Sequence, residues 1–249
     1  MQYGICNLGI VPMRFEPSDK SELVSQVLYG EFFKVLERRK KWSRIRIAYD
    51  KYEGWIDNKQ YKEITEEDYN DNVISSPILS TDLLEYVSDE NENIYTIPLG
   101  ATLNGLHILN HKFDGNKIQK VLKKSNLIKT AFLYLNSPYL WGGKTPFGID
   151  CSGFTQMVYR INGHKLKRDA SQQASQGEAL SFIEESEPGD LAFFDNVDGD
   201  IIHVGIIMED NYIIHAHGKV RIDRLDHSGI YNVDTNLHTH KLRVIKKII

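Results

Sequence analysis

Cysteine is scarce in this 249-residue chain: Cys6 and Cys151 stand far apart and in unlike surroundings. A disulfide framework needs paired cysteines, so none is expected, and a reducing cytoplasm is the simpler expectation for location. Long apolar runs are missing too. No stretch approaches the roughly 18–20 apolar residues that cross a bilayer, so no membrane partner is expected. The N-terminus, Met1-Gln2-Tyr3-Gly4-Ile5-Cys6, lacks a basic patch followed by an apolar run, so an export signal is not expected unless one has been trimmed. Positive charge is in deficit: a net charge of −4 and a pI near 6.1 supply no general field for nucleic acid or an acidic membrane surface. Any anionic substrate must therefore be held by local groups. What remains, 41% hydrophobic and 26% charged residues, is the ordinary mixture of a globular protein.

Residues 1–64 read as short strands separated by turns: Ile10 to Arg14, Gln26 to Leu28, Phe32 to Glu37, Trp42 to Ala48 and Glu53 to Ile56. Trp42 to Ile47 alternates apolar with polar residues, the period of a strand with one buried face. Five such strands predict a small β-barrel with Trp42 and Trp55 as core residues. Met13-Arg14-Phe15-Glu16-Pro17, Leu28-Tyr29-Gly30-Glu31 and Gly54-Trp55-Ile56 resemble a bacterial SH3 domain.

Over 65–118 the pattern weakens. The acidic, Asn-rich stretch Glu66 to Asn72 suits a linker, and Leu84 to Val87, Tyr95 to Gly100 and Leu106 to Leu109 read as strands of a second, degenerate SH3-like barrel. From about 119 the period turns helical, with Ile118, Val121, Leu122, Leu127, Ala131, Leu133 and Tyr134 on one side until Asn136-Ser137-Pro138 stops it. The rest, 119–249, alternates turns and strands after a further helix that Cys151 opens. An α+β domain is the expectation for this part.

A cysteine in the first turn of a helix faces unpaired backbone N–H groups and the positive end of the helix dipole, which favour the thiolate. The glycine-rich approach from Trp141 to Ile149 fits, because a bare backbone lets a substrate come near the sulfur. Downstream, Met208 and Tyr212 bracket a polar three-residue loop that joins two antiparallel strands. If those two lie opposite each other, His203 faces His217 and Gly205 faces His215, and all four share one face. An imidazole beside Cys151 needs its second nitrogen held by a polar acceptor, which a histidine on the next strand supplies. Between His215 and His217 this geometry does not choose.

Tyr139-Leu140-Trp141-Gly142-Gly143, Asp150-Cys151-Ser152-Gly153-Phe154, Pro188-Gly189-Asp190-Leu191, His203-Val204-Gly205-Ile206 and Ile214-His215-Ala216 resemble the successive motifs of the NlpC/P60 cysteine peptidases, over about residues 125–245. The resemblance implies a papain-like core and cleavage of bacterial peptidoglycan peptides. It implies Cys151 as nucleophile, His203 as base and His215 as the residue that orients it. With SH3-like domains in front, the chain is similar to the γ-D-glutamyl-L-diamino acid endopeptidases of that family. These act on freed peptides with an unblocked L-alanine, as in recycling of cell-wall peptides. Carried over by position, Tyr139, Trp141, Asp150, Ser152, Arg168 and Asp169 would contact substrate or transition state, with Glu22 and Tyr52 contributed by the N-terminal domain. Ala170 departs from the serine that relatives often carry there, which puts one substrate hydrogen bond in doubt. On physical grounds Asp150 would pair with a substrate ammonium or cap the helix that Cys151 opens, and one side chain can do both. The Tyr139 hydroxyl beside a reactive thiol would stabilise an oxyanion.

Three other readings compete with the peptidase. Histidines on one face with Cys151 could hold zinc, but the paired Cys-His spacing of a tight metal site is absent around Cys151, so no metal and no cofactor is expected. A cell-wall-binding module with an inactive peptidase domain is disfavoured by the intact Cys151, His203 and His215. An acyltransferase using a thioester at Cys151 is poorly separated from a hydrolase by residues alone. The partner expected is a peptidoglycan-derived peptide, bound by a monomer.

Overall fold

The computed structural model describes residues 2–74 and 76–249. Two compact units emerge. The first comprises the chain up to Lys120 together with Trp141–Thr145, and the second Val121–Leu140 with Pro146–Ile249.

In the first unit a seven-stranded antiparallel sheet runs in the order Leu23–Leu28, Ile10–Arg14, Glu53–Asp57, Trp42–Ile47, Phe32–Arg38, Gln2–Ile5 and Lys62–Ile64. The alternation of Trp42–Ile47 is realised: Ser43, Ile45 and Ile47 are buried while Arg44 and Arg46 point out. Val11, Met13, Val27, Phe33, Val35, Ile45, Ile47 and Ile56 form its core with Cys6. Trp55 is buried, but Trp42 is only partly so and stands at the start of its strand.

Three expectations fail here. Glu66 to Asn72 is no linker but most of a helix, Glu66–Ile74. Thr65 Oγ1 accepts from the Asp68 amide at 3.0 Å and donates to the Asp68 carboxylate at 2.7 Å, a cap whose Thr-x-x-Asp signature is plain in the sequence. Tyr69 on this helix is buried against Tyr3, with ring centroids 4.6 Å apart. Leu106–Leu109 is a helical turn rather than a strand, ended by Asn110 in the left-handed conformation. The helix expected from about 119 spans only Asn126–Phe132, because Lys117–Ile118 pairs instead with Leu79–Ser80. Val87, Ile97, Ala101, Leu103 and Leu109 share one core with Tyr3, Ile5, Tyr29 and Phe32, so residues 79–109 pack on the first sheet's own residues.

The second unit sets the helix Cys151–Ile161 against an antiparallel sheet ordered Glu178–Leu180, Leu237–Lys247, Leu191–Asp195, Ile201–Ile207, Tyr212–His217, Lys219–Asp226 and Gly229–Asn232. Gly229–Asn232 pairs back onto the long strand Leu237–Lys247, so six of the strands close on themselves. Every residue of the Cys151–Ile161 helix is buried. A helix wrapped on all sides tolerates only polar groups that find partners. Accordingly Asn162 donates to Thr130 Oγ1 at 2.9 Å, tying its end to Asn126–Phe132, and the Tyr159 hydroxyl donates to the Gly189 carbonyl. Helices packed on an antiparallel sheet make this unit α+β, as the order of sequence periods predicts.

Candidate active site

The helix Cys151–Ile161 starts where Asp150, in extended conformation, turns its carboxylate back to accept from the Gly153 amide at 2.6 Å. That cap places Cys151 in the first helical turn. The carboxylate is also gripped by Arg168, Nη1 to Oδ1 at 3.0 Å and Nη2 to Oδ2 at 2.6 Å, and Arg168 Nη1 reaches Ser152 Oγ at 3.0 Å. Arg168 is 1% exposed, so this fork is sealed from water. A buried bidentate pair of this kind holds the helix start rigidly.

On the facing strands, Met208 donates its amide to the Tyr212 carbonyl at 2.8 Å, and Gly205 lies opposite His215. The register inferred from the loop is therefore the observed one. Asp210 and Asn211 in the loop both adopt positive φ, which lets the chain reverse there. Gly205 is needed: a Cβ would stand 2.7 Å from Ile213 Cδ1 and 2.9 Å from His215 Cβ. His203 Nε2 and His215 Nδ1 are 2.8 Å apart, which decides for His215 over His217 as the direct partner. His217 is exposed, with its ring centroid 6.4 Å from that of His203.

Two further neighbours escaped sequence reasoning. His215 Nε2 lies 2.9 Å from Asp223 Oδ2, and Asp223 is fully buried. Arg221 clamps the same carboxylate through Nε at 2.7 Å and Nη2 at 2.8 Å, and the Val233 amide donates to Oδ1 at 3.0 Å. The only sequence trace of this is the Arg221-x-Asp223 alternation on a strand, a common surface pattern. His240, from the long last strand, stacks on His203 with centroids 4.2 Å apart and 26° between planes. Nothing in its local sequence marks it.

The Cys151 sulfur meets the Val204 backbone, next to His203, and its own helix start at Ser152. With His203 Nε2 engaged by His215, Nδ1 is the ring nitrogen left to take the thiol proton. Burial and the Asp150 carboxylate push the Cys151 thiol up to about 12, against the pull of the Val204 contact, Arg168 and the helix start. Burial, reinforced by His215, His240 and His217, holds His203 well below the usual imidazole range. Burial therefore works against charge on either partner, while the Val204 and Ser152 backbone contacts and Arg168 favour the thiolate that the helix start also favours. Burial, with Cys151 and Asp150 nearby, also raises the Tyr139 phenol, keeping it a hydrogen-bond donor.

Of the other expected site residues, Asp150, Ser152 and Arg168 come together behind Cys151, and Asp169 caps the short helix Ala170–Gln173 beside them. Glu22 and Trp141 meet within the first unit, where the indole Nε1 donates to Glu22 Oε1 at 2.7 Å. Tyr52, also in the first unit, packs partly buried on the barrel core. Gly142 has φ 77° and a Cβ there would strike the Leu23 carbonyl at 2.4 Å, so packing within the first unit accounts for this glycine.

Residues 136–238 match the NlpC/P60 family, and residues 13–60 match the bacterial dipeptidyl-peptidase SH3 domain. The chain carries an NlpC/P60 peptidase domain. Cys151, His203 and His215 all fall inside the matched NlpC/P60 segment. Among curated relatives, dipeptidyl-peptidase 6 of Lysinibacillus sphaericus is 28% identical, covering 85% of this chain and 87% of its own. The γ-D-glutamyl-L-lysine dipeptidyl-peptidase of Bacillus subtilis (strain 168) is 28% identical over 77% of this chain and 71% of its own. An NlpC/P60 family protein from Bacillus cereus ATCC 10987 shares the fold, with a TM-score of 0.81 and 19% identity over 99% of both chains.

Proposed function

We propose that this NlpC/P60 peptidase hydrolyses the bond between γ-D-glutamate and the following diamino acid in peptidoglycan-derived peptides that carry a free N-terminal L-alanine, and so serves cell-wall peptide recycling in the cytoplasm. The observation that carries the reading is that the Cys151 sulfur lies against the Val204 backbone, one residue from His203, whose Nε2 is 2.8 Å from His215 Nδ1. The name of the Bacillus subtilis relative, γ-D-glutamyl-L-lysine dipeptidyl-peptidase, supports the γ-D-glutamyl bond as the one cleaved.

In this reading His203 Nδ1 takes the Cys151 proton as the sulfur attacks the γ-carbonyl carbon. The oxyanion is met by the Cys151 amide at the helix start and by the Tyr139 hydroxyl. The imidazolium gives its proton to the departing amino group of the diamino acid, leaving a thioester. Water, deprotonated by His203, then releases L-Ala-γ-D-Glu and restores the thiol. Within the second unit, Asp150 is the carboxylate assigned to the substrate ammonium, beside its part in capping the helix, and Ser152, Arg168 and Asp169 are assigned to substrate positioning.

Mass spectrometry of the protein and of Cys151→Ala, incubated with L-Ala-γ-D-Glu-meso-diaminopimelate and with its N-acetylated form, tests the reading. Release of L-Ala-γ-D-Glu from the free peptide alone, abolished in the variant, is the expected result. No cleavage of either peptide, with retained binding to cell-wall fragments, would leave a binding module instead.

A further inference from the structure

The histidine pair at the site does not end at His215. We infer that Asp223 is a positioning residue that sets the tautomers of both histidines and thereby decides which nitrogen of His203 carries a lone pair toward Cys151. The inference rests on the proposed roles of Cys151 and His203.

The chain of hydrogen bonds admits one consistent assignment. Asp223 is fully buried, receives two donors from Arg221 and one from the Val233 amide, and lies 2.9 Å from His215 Nε2. These donors hold its carboxyl far below the usual carboxylate range despite burial, so it is charged and can only accept. His215 Nε2 must then carry a hydrogen. A neutral imidazole has one N–H, so His215 Nδ1 is an acceptor, and His203 Nε2, 2.8 Å away, must donate to it. His203 Nδ1 is left with its lone pair, the form a general base for a thiol requires. Burial keeps both histidines below their ordinary range, so the neutral forms prevail near neutral pH.

Reversal of the chain follows from one atom. An amide at 223 that keeps its oxygen on the Val233 amide and Arg221 Nη2, the position with two donors, turns its NH2 to His215 Nε2, which then accepts, and the hydrogen moves to Nδ1. His203 Nε2 becomes the acceptor and Nδ1 carries the hydrogen, so it cannot take the thiol proton. In serine peptidase triads the wrong imidazole tautomer lowers kcat by about 10⁴.

The test uses the whole chain labelled with 15N-histidine. Long-range 1H–15N spectra, assigned with His215→Asn and His217→Asn, should show wild-type His215 protonated at Nε2 and His203 at Nε2. In Asp223→Asn both should switch to Nδ1, kcat should fall by about 10²–10⁴ with KM little changed, and alkylation of Cys151 by iodoacetamide near neutral pH should slow about tenfold or more. Arg221→Gln, which leaves the carboxylate in place, should keep the wild-type tautomers. A wild-type spectrum with His215 protonated at Nδ1 overturns the inference even if Asp223→Asn does not fold, and so does a folded Asp223→Asn with wild-type kcat. The spectra and the alkylation rate need no substrate, so they decide this point even if the γ-D-glutamyl reading fails.

Discussion

The surroundings of Cys6 and of Cys151 make an instructive pair, because the two thiols are alike in isolation. Both are free, both are buried, and burial pushes each up to about 12. Cys6 sits among Val11, Val27 and Phe33 in the barrel core and donates to the carbonyls of Leu8 at 3.2 Å and Val27 at 3.7 Å. Cys151 meets backbone at Val204 and Ser152, two contacts that favour the charged sulfur where Cys6 has one, at Leu8, and it stands beside the strand that carries His203. A carbonyl partner stabilises the thiol and an N–H partner the thiolate. The comparison teaches that burial and a single backbone contact leave a cysteine as inert packing, and that nucleophilicity is added by a base within reach.

The sharpest way to break the comparison is exchange of each cysteine. Cys151→Ala should lower peptide turnover by about 10⁴-fold or more, whereas Cys6→Ala should leave kcat within about twofold; a matching loss in Cys6→Ala, at unchanged stability, would erase the distinction. His203→Ala should cost nearly as much as Cys151→Ala, and the double variant little more, since residues of one proton path act as a unit. Steady-state kinetics of the three variants reads this directly.

Next in size is the anchor behind Cys151, whose counterpart near the barrel cysteine is the looser buried pair of Glu31 and Lys144 at 3.4 Å. Arg168→Met strands the buried Asp150 carboxylate and should cost about 3–5 kcal/mol in urea unfolding. An unfolding midpoint within error of wild type would show that the pair is dispensable.

Proton linkage separates the regions further. His203, His215, His217 and His240 are all held below their unfolded value of 6.5, burial being the largest cause in each, with His240 lowered to about 4. A depressed histidine takes up its proton in the unfolded chain first, so stability is whole above 6.5 and is lost as pH falls below it. The thermal midpoint should therefore drop between pH 6.5 and 4, and His240→Asn should flatten part of that slope. Burial works against the thiolate, so alkylation of Cys151 should still rise with pH above neutrality; a rate flat from acid pH would show that the backbone donors and the helix start outweigh burial. The smallest effect belongs to Cys6→Ala, about 1–2 kcal/mol of stability from lost packing and a weak hydrogen bond, read from the same unfolding curves.

Legibility followed the range over which each signal acts. Trp42–Ile47 and the loop from Met208 to Tyr212 were readable because alternation and turn chemistry are properties of neighbouring residues, and the latter carried the register of His215 against Gly205 correctly. The Thr65-Glu66-Glu67-Asp68 cap was present but masked by its acidic, Asn-rich setting, which has the composition of a linker. Asp223 and His240 lie 20 and 37 residues beyond His203 on separate strands, and no local pattern distinguishes them from surface residues.

Residue order alone was enough to determine a β-barrel ahead of an α+β peptidase unit, the cysteine at a helix start and the two-histidine hairpin, because these rest on spacing, capping and motif. Only the folded chain decided the hydrogen bond between His203 and His215, the stacking of His240 on His203 and the buried Asp223 carboxylate behind His215. Those depend on how far water is excluded and on which side chains distant strands bring within hydrogen-bond reach, and neither is encoded in the interval between two residues.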